Sequence, residues 1–283
     1  LHKEGTAFDL AMAVGILVGN GQLEGKLEDS IFFGELSLDG SLRNTNGVLP
    51  FALMAREKGI KTLYLPEVNA KEAAIVEGVE IYPLKNLTQL FLHHNGSQVI
   101  CVFNHLPFKE DDDLSYEFDM KDIKGQEYAK RALEICASGG HNIILKGPPG
   151  AGKTLLARTL PSILPSLTMD EALEVTKIYS VSGLLKVDEP IVKRRPFRSP
   201  HHTISYIGLI GGSQHPKPGE ISLAHNGVLF CDEFSEFPRH VLEVLRQPLE
   251  DGFVSISRAA GTINFPSQFI LVAAANPCPC GYF

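Results

Sequence analysis

A glycine-rich segment limits the possible folds of this chain more than any other part of its sequence. The segment fits the pattern G-x-x-x-x-G-K-[ST] and consists of Gly147, Pro148, Pro149, Gly150, Ala151, Gly152, Lys153 and Thr154. A short apolar run from His141 to Leu145 precedes it, and a helix-compatible segment, Leu155 to Leu160, follows it. This pattern binds phosphate groups when it lies between a strand and a helix. We therefore expect an open parallel α/β sheet with this loop at the carboxyl end of a strand.

The residue types of the loop predict binding of ATP with Mg²⁺. Glycines allow the backbone to curl so that its N–H groups point inward, and the positive potential at the start of the following helix strengthens their attraction for phosphate oxygens. We expect Lys153 to reach the β- and γ-phosphates and the hydroxyl of Thr154 to bind Mg²⁺. A glycine-rich loop that matches by chance is the alternative when this pattern is taken alone.

A second motif makes a chance match harder to sustain. The apolar stretch Val228 to Cys231 ends in two adjacent carboxylates, Asp232 and Glu233. Beside a nucleotide, we expect Asp232 to hold the Mg²⁺ shell and Glu233 to act as the general base for the attacking water. In a chain without a phosphate loop, two such acids are more often an ordinary solvated turn.

A third apolar stretch, Phe269 to Ala275, ends at Asn276. Its amide is expected to position the water or to sense the γ-phosphate, whereas an asparagine that only caps a turn before Pro277 is the alternative. The predicted catalytic residues are thus Lys153, Asp232, Glu233 and Asn276, and the predicted metal ligands are Thr154 and Asp232.

Length and composition predict two domains. The 283 residues are 44% hydrophobic and 21% charged, which suffices for one large core or two ordinary ones. Helical spacing from Ala52 to Lys58 and an apolar run from Thr62 to Leu65 indicate an α/β or α+β first domain. The acidic stretch from Lys109 to Asp113 predicts a solvated linker, with a solvated loop inside one domain as the alternative. We place the first domain at residues 1–95, the linker at 96–118 and the second domain at 119–283.

Net charge and cysteine content bear on partners and location. A formal net charge of −7 argues against a protein that coats nucleic acid through bulk charge, although a local basic patch can still bind phosphates. Five cysteines without framework spacing favour a reducing compartment, so we expect a cytoplasmic protein. The apolar run Leu10 to Val18 has acidic neighbours and no convincing cleavage site, and no stretch is long enough to cross a bilayer. We expect no membrane association and no secretory pathway.

A basic patch precedes the acidic pair along the chain. It consists of Lys193, Arg194, Arg195 and Arg198, with Phe197 among them. Cations next to an aromatic ring suit the phosphate backbone and the bases of single-stranded or branched nucleic acid. A solvated loop or an ion-paired surface between subunits is nearly as well supported.

Histidines and cysteines offer weaker metal sites. His201, His202 and His215 lack the spacing of zinc ligands, so we interpret them as structural or loop residues. Cys278 and Cys280 could supply half of a thiolate site, and the sequence leaves their metal binding open.

The order of these motifs resembles that of AAA+ ATPases. The segment Gly219 to Gly227, just before the acidic pair, is similar to the magnesium-chelatase branch of those proteins. Within that branch, the dense motifs Arg195 to Thr203 and Asn276 to Gly281 resemble magnesium chelatase-like proteins of the ComM and YifB type. The resemblance covers nearly the whole chain and implies a P-loop ATPase core of parallel strands flanked by helices. The loop Gly211 to Gly219 resembles the insert that faces the pore of such rings.

The first domain resembles the Lon-protease domain, an α+β fold similar to ribosomal protein S5. Lys3 to Asp9 is similar to the nucleophile segment of that protease, but Ala7 stands where the serine is expected and Leu49 where the partner lysine is expected. Without a hydroxyl to attack and an amine to activate it, this dyad cannot hydrolyse peptides. The resemblance therefore implies a non-catalytic domain.

The resemblance also implies a homo-oligomeric ring, most simply a hexamer, in which a neighbour's arginine completes each nucleotide site. It implies a DNA-remodelling or branch-migration helicase that acts on single-stranded or branched DNA in natural competence. The alternatives are a magnesium chelatase motor subunit that acts on a protein partner and a nucleotide-gated assembly scaffold. Because the chain opens at Leu1 and stops at Phe283, we expect both domains to be truncated and hydrolysis by this piece to be weak.

Overall fold

The structure, a computed structural model of the chain, describes residues 5–23, 27, 29–107, 115–212, 217–258 and 261–277. It divides into two compact units: unit 1 comprises residues 1–109 and 179–191, and unit 2 comprises residues 110–178 and 192–283. We call residues 179–191 the returning segment, because the chain comes back to unit 1 there. The prediction of two domains joined by one linker does not include the returning segment. The acidic stretch that suggested the linker lies outside the described residues.

Unit 1 contains a three-stranded parallel sheet, a small hairpin and short helices. Its elements are α1 (Asp9–Gly19), β1 (Ser30–Phe32), β2 (Glu35–Leu36), β3 (Leu42–Arg43), α2 (Val48–Glu57), β4 (Thr62–Pro66), α3 (Ala70–Ala73), β5 (Glu80–Leu84) and α4 (Leu87–His94). The sheet has the order β1-β4-β5, and β2 pairs with β3 in an antiparallel hairpin. All but the first residue of β4 are buried, as is typical of the central strand of a parallel sheet. The mixed α/β character predicted for this region is confirmed.

A buried carboxylate anchors the returning segment. Glu72, on α3, is 8% exposed, and its Oε1 accepts hydrogen bonds from the amide of Leu49 at 2.9 Å and the hydroxyl of Ser180 at 2.5 Å. The amide of Gly47 donates to the carbonyl of Ser180 at 3.2 Å. Burial raises the pKa of Glu72 above its usual value, and its hydrogen bonds oppose that shift. Unit 1 therefore depends on a residue that lies far along the chain from the rest of it.

Unit 2 contains a four-stranded sheet, a β-hairpin and flanking helices. Its elements are α5 (Glu127–Gly139), β6 (Ile143–Lys146), α6 (Lys153–Thr159), α7 (Met169–Ser182), β7 (Phe197–Arg198), α8 (Tyr206–Ile210), α9 (Glu220–Leu223), β8 (Gly227–Cys231), α10 (Arg239–Glu243), α11 (Arg246–Asp251), β9 (Phe253–Arg258), β10 (Gly261–Pro266) and β11 (Phe269–Ala275). Single 3₁₀ turns cover Met120–Asp122, Leu160–Ile163 and Phe234–Glu236. The last four residues of α7 belong to the returning segment.

The sheet of unit 2 is parallel throughout and has the order β6-β11-β8-β7. Every residue of β8 is buried, which fits its place between two neighbours under helices on both faces. In the register, Ala275 lies opposite Lys146 and Ala273 lies opposite Cys231. The carboxyl ends of β6, β11 and β8 therefore meet at one edge of the sheet. The parallel α/β architecture predicted from the motifs is confirmed.

Gly227 allows β7 and β8 to approach each other. A Cβ atom at this position would lie 2.1 Å from the carbonyl oxygen of Pro196, closer than any real contact of that kind. The amide of Val228 donates to the same carbonyl at 2.7 Å. A side chain at Gly227 would therefore push β7 and β8 apart. The acidic pair follows β8, and the loop that leads to α8 follows β7.

Among the described residues, no helix combines the length and the apolar character that a membrane crossing requires.

Candidate nucleotide site

The glycine-rich loop lies between the end of β6 at Lys146 and the start of α6 at Lys153. Gly150 and Gly152 have φ angles of 77° and 80°, in the left-handed region that a residue with a Cβ rarely adopts. The glycines of the pattern thus permit a tight curl between a strand and a helix. The loop has the strand, turn and helix context that the pattern requires.

Lys153 is the first residue of α6, and its ammonium group reaches back over the loop. Its Nζ donates to the carbonyls of Gly147 and Pro148 at 2.7 and 2.9 Å and to Oδ1 of Asn276 at 3.0 Å. An ammonium group has three donors, and these acceptors use all of them. Asn276 follows β11, which pairs with β6, so the sheet order brings the two residues together across 123 positions of sequence.

Thr154 and Asp232 are also adjacent. The hydroxyl of Thr154 donates to Oδ2 of Asp232 at 2.7 Å, and Oδ1 of Asp232 accepts from the amide of Glu233 at 2.9 Å. Cys231, just before Asp232, is fully buried, and burial raises the pKa of its thiol to about 12. The thiol therefore stays protonated, and Asp232 is the acid of this strand end that is available to a cation.

Glu233 has an unusual backbone. Its φ and ψ angles of 50° and 47° place it in the left-handed region, where a residue with a side chain costs roughly 1 to 3 kcal/mol. Its carboxylate is about half exposed, and its Oε2 lies 3.1 Å from Nδ1 of His202. The backbone of Glu233 is thus fixed by the carboxylate of Asp232, and its side chain is in contact with an imidazole.

The side chains present here fit a nucleotide with Mg²⁺. Mg²⁺ prefers hard oxygen ligands and keeps several waters, so it needs few protein donors. The hydroxyl of Thr154 and the carboxylate of Asp232 supply such oxygens 2.7 Å apart. The neighbouring Lys153 supplies a positive charge, and the curled loop supplies backbone N–H groups for phosphate oxygens.

Two family models match the chain. The one described as magnesium chelatase, subunit ChlI, matches residues 119–283, more than half of the chain. The chain belongs to the magnesium chelatase-like AAA+ family. A second model, described as subunit ChlI of Mg-chelatase, matches residues 1–69. The family predicted from the motifs is confirmed, whereas the relation of the first domain to the Lon protease stays a prediction.

Several bacteria have relatives that match this AAA+ chain along its whole length. The competence protein ComM of Haemophilus influenzae is 45% identical over 100% of this chain and 56% of its own length. The uncharacterized protein YifB of Escherichia coli is 41% identical over 100% of this chain and 55% of its own length. The chain therefore spans about half the length of these relatives.

Magnesium chelatase subunits are more distant. The subunit ChlI of Euglena gracilis is 25% identical over 56% of this chain and 53% of its own length. A solved structure, the complex between subunits BchI and BchD of magnesium chelatase, matches 55% of this chain and 53% of its own with 25% identity and a TM-score of 0.44.

In this magnesium chelatase-like chain, Arg195 of the basic patch is largely shielded from solvent. The side chain of Arg195 is 14% exposed. Its Nε donates to the carbonyl of Pro165 at 2.6 Å, its Nη1 to the carbonyl of Asn226 at 2.8 Å, and its Nη2 to the carboxylate of Glu171 at 3.1 Å. These contacts hold the chain just before β7 and just before β8 in place, so Arg195 has a structural role.

Two further cations of the patch also have partners within unit 2. Arg198 forms a two-point ion pair with Glu220, in which both distances are 2.6 Å. The guanidinium of Arg194 lies over the ring of Tyr116, with 5.9 Å between its Cζ and the ring centroid. Arg195 and Arg198 are therefore paired with carboxylates of unit 2, whereas Arg194 is exposed, so the composition of the patch overstates the charge that it offers to phosphates.

The histidines of the same region are not metal ligands as a group. Within the described part of the chain, no three His, Cys, Asp or Glu residues lie together in a way that could hold a metal ion. Nδ1 of His201 lies 2.9 Å from the hydroxyl of Thr203. His202 contacts Glu233 instead, a partner that its sequence neighbourhood does not reveal. His215, Cys278 and Cys280 lie outside the described residues.

His225, in the segment that suggested the chelatase branch, is a buried structural residue. It is 2% exposed, and the amide of Gln268 donates to its Nδ1 at 3.1 Å. Its Nε2, which must then carry the proton, lies 3.1 Å from the carboxylate of Glu174. Burial lowers the pKa of His225, and Glu174 opposes that shift. The histidine thus fastens the turn before β8 to the residue before β11.

Proposed function

We propose that this chain is the ATP-binding and ATP-hydrolysing part of a ring-forming motor. The observation that carries the proposal is the convergence of predicted site residues at one sheet edge. Lys153 bonds to Asn276, and Thr154 bonds to Asp232, in each case across separate strands of the same sheet. Residues of three separate motifs, each predicted to act on a nucleotide, therefore form one cluster.

In this proposal, the phosphates of ATP replace the internal partners of Lys153. The ammonium group gives up two backbone carbonyls and the amide oxygen of Asn276, and it binds the β- and γ-phosphate oxygens. Thr154 and Asp232 hold Mg²⁺, whose charge offsets the negative charge of the phosphates during transfer. Asn276, once released by Lys153, presents its side-chain amide to the γ-phosphate or to the attacking water.

Glu233 is the proposed general base. Its carboxylate accepts a proton from the water that attacks the γ-phosphate, so its orientation decides whether that water is aligned. The left-handed backbone and the bond from its amide to Asp232 keep Glu233 beside the proposed metal ligand. A strained residue at this place is consistent with a catalytic role, since such strain concentrates at active sites.

The remaining parts of the proposal come from the sequence and from the family resemblance. The motor forms a homo-oligomeric ring, most simply a hexamer, in the cytoplasm, and residues 1–95 form a non-catalytic Lon-like domain ahead of the 96–118 linker and the ATPase domain at 119–283. Single-stranded or branched DNA is its partner, which is supported by 45% identity to a competence protein. The basic patch adds less support than its four cations suggest, because Arg195 and Arg198 form ion pairs within unit 2.

ATP hydrolysis by the full-length protein tests the proposal. Wild type, Lys153→Ala and Glu233→Gln are compared with and without single-stranded and forked DNA. We expect Lys153→Ala to lose nucleotide binding. We expect Glu233→Gln to bind nucleotide but to hydrolyse it more slowly, by a factor on the order of 100. Glu236→Gln is the matched control, because Glu236 is an exposed carboxylate three positions further on.

The outcomes separate the parts of the proposal. Turnover that is equal in wild type and Lys153→Ala contradicts the ATPase. Turnover that responds to the variants but ignores DNA leaves the ATPase in place and contradicts the DNA partner.

A magnesium chelatase motor subunit is the second candidate, because the matching family model carries that description. Such a subunit acts on a protein partner. ATP-dependent stimulation of a chelatase catalytic subunit by this protein would favour it over a DNA motor, and no stimulation at saturating ATP would exclude it.

A further inference from the structure

The loop between β7 and α8 carries His202, and both ends of this loop are fixed. At its start, Arg198 forms a two-point ion pair with Glu220 at 2.6 Å. At its end, the hydroxyl of Ser205 caps α8 by accepting from the amide of Gly208 at 3.1 Å. The loop therefore presents its side chains from a defined backbone.

The ring of His202 is held on both sides. It meets the buried ring of Phe237 edge-on with 6.5 Å between centroids, and it lies 4.1 Å from the ring of His201. Its side chain is 28% exposed, compared with 51% for its partner Glu233. The imidazole is thus the more restrained member of the pair.

A single contact joins the two side chains. Nδ1 of His202 lies 3.1 Å from Oε2 of Glu233. An ionised carboxylate can only accept hydrogen bonds, so Nδ1 carries the proton and donates. A glutamate that is half exposed samples several rotamers unless a partner selects one. Among the contacts described for the Glu233 side chain, His202 is that partner.

We infer that His202 is a positioning residue for the carboxylate of Glu233 during ATP hydrolysis. The inference rests on the proposed function, because it assigns Glu233 as the general base. Asp232 fixes the backbone of Glu233 through its amide, and His202 fixes the orientation of the carboxylate. His202 touches Glu233 and not the reacting atoms, so it acts through the base.

The neighbouring His201 does not share this role. Its Nδ1 lies 2.9 Å from the hydroxyl of Thr203 and also accepts from the amide of Thr203 at 3.3 Å. It is exposed, whereas His202 is partly buried. Two adjacent residues of the same type therefore have different partners, which provides a matched control.

The test measures kcat and KM for ATP with the full-length protein and its His202 variants. His202→Ala removes the donor, and His202→Asn places an amide nitrogen at the same number of bonds from Cα as Nδ1. His202→Gln places its amide nitrogen at the distance of Nε2 instead. We expect His202→Ala to lower kcat by about 10-fold or more with an unchanged KM, because misorientation of a base affects the chemical step.

The comparison between the Asn and Ala variants isolates the hydrogen bond. Both variants lose the ring that packs against Phe237, so any loss of stability is common to them, and nucleotide binding confirms that each is folded. We expect His202→Asn to recover most of the lost kcat and His202→Gln to recover little. His201→Phe, which keeps an aromatic ring against His202 and loses only the contacts with Thr203, should match wild type.

Each contrary result has a separate meaning. If His202→Ala has the kcat of wild type, or a higher one, the positioning role is wrong while the ATPase stands. If the Asn and Ala variants are equally slow, the ring packing matters and the hydrogen bond does not, which also overturns the inference. If wild type hydrolyses no more ATP than Lys153→Ala, the proposed function fails and this inference fails with it.

Discussion

Two carboxylates in this chain, Glu233 and Glu72, have opposite surroundings. Glu233 is half exposed, has a strained backbone and contacts an imidazole. Glu72 is 8% exposed, and one of its oxygens accepts from a backbone amide and a serine hydroxyl. The first is held in place but remains accessible, and the second is enclosed. Accessibility with fixed geometry suits a base that must meet a water, whereas enclosure suits a group that holds backbone together.

The comparison makes a general prediction. Changes at the sheet edge of unit 2 should alter hydrolysis and leave the free energy of unfolding nearly unchanged. Changes at Glu72 should alter the free energy of unfolding and leave nucleotide chemistry unchanged.

The largest effect is expected for Asp232→Asn. The variant loses the negative charge that is proposed to hold Mg²⁺, but its amide oxygen can still accept from the amide of Glu233. We expect kcat to fall on the order of 100-fold and the Mg²⁺ requirement to rise, with a stability change within about 1 kcal/mol. Hydrolysis rates across a Mg²⁺ titration and thermal unfolding check both parts. A large loss of stability with normal hydrolysis would remove the contrast with Glu72.

The next effect is expected for Glu72→Ala. The variant leaves the buried amide of Leu49 and the hydroxyl of Ser180 without their acceptor, and each unsatisfied buried group costs about 1 to 3 kcal/mol. Denaturant unfolding should show this loss, while nucleotide affinity measured in native buffer stays at the wild-type value. Weaker nucleotide binding at unchanged stability would contradict the prediction.

A smaller effect is expected for Ser180→Ala. Glu72 then keeps the amide of Leu49 as its donor and loses only the hydroxyl, so the free energy of unfolding should fall by about 1 kcal/mol. The partly buried Ser182 is not a clean control because it has contacts of its own, so Val181→Ala, at an exposed position on the same helix, serves better. If the serine variant matches Val181→Ala, the bond to Glu72 does not stabilise unit 1.

The smallest change near neutral pH is expected for Glu72→Gln, which keeps an oxygen acceptor and removes the charge. Burial raises the folded pKa of Glu72 above its unfolded value of about 4.3. Protonation of Glu72 therefore favours the folded state, and this contribution is complete below the unfolded pKa and is lost as the pH rises through the folded pKa. Unfolding measured across that window should show a decline in wild type that the Gln variant lacks. Parallel pH profiles would show that Glu72 does not cause the decline.

The sequence predicted which residues meet at the sheet edge of unit 2 because its signals are local. The loop pattern, the acidic pair after an apolar strand and Asn276 after another strand each occupy a few consecutive residues. The structure brings them together because all three strands are parallel, and parallel strands place their carboxyl ends at the same edge. The helix expected from Leu155 to Leu160 corresponds to α6, which begins at Lys153.

The contacts that sequence reasoning missed are between distant residues. His202 and Glu233 lie on separate segments, and only the pairing of β7 with β8 brings them together. The basic patch looked available for nucleic acid because a charge count does not show partners, and Arg195 finds its partners in three other segments. Glu72 carried no signal, since an isolated glutamate in a helical stretch is normally exposed.

The returning segment also bears on how such a chain can change over generations. A recombination event that joined residues 1–109 to an unrelated second unit would leave Glu72 without Ser180 and Gly47 without its carbonyl partner. Unit 1 is therefore not contiguous in sequence, because its last piece lies between two parts of unit 2. Exchange of unit 1 by simple fusion should be selected against, and residues 1–109 and 179–191 should be inherited together.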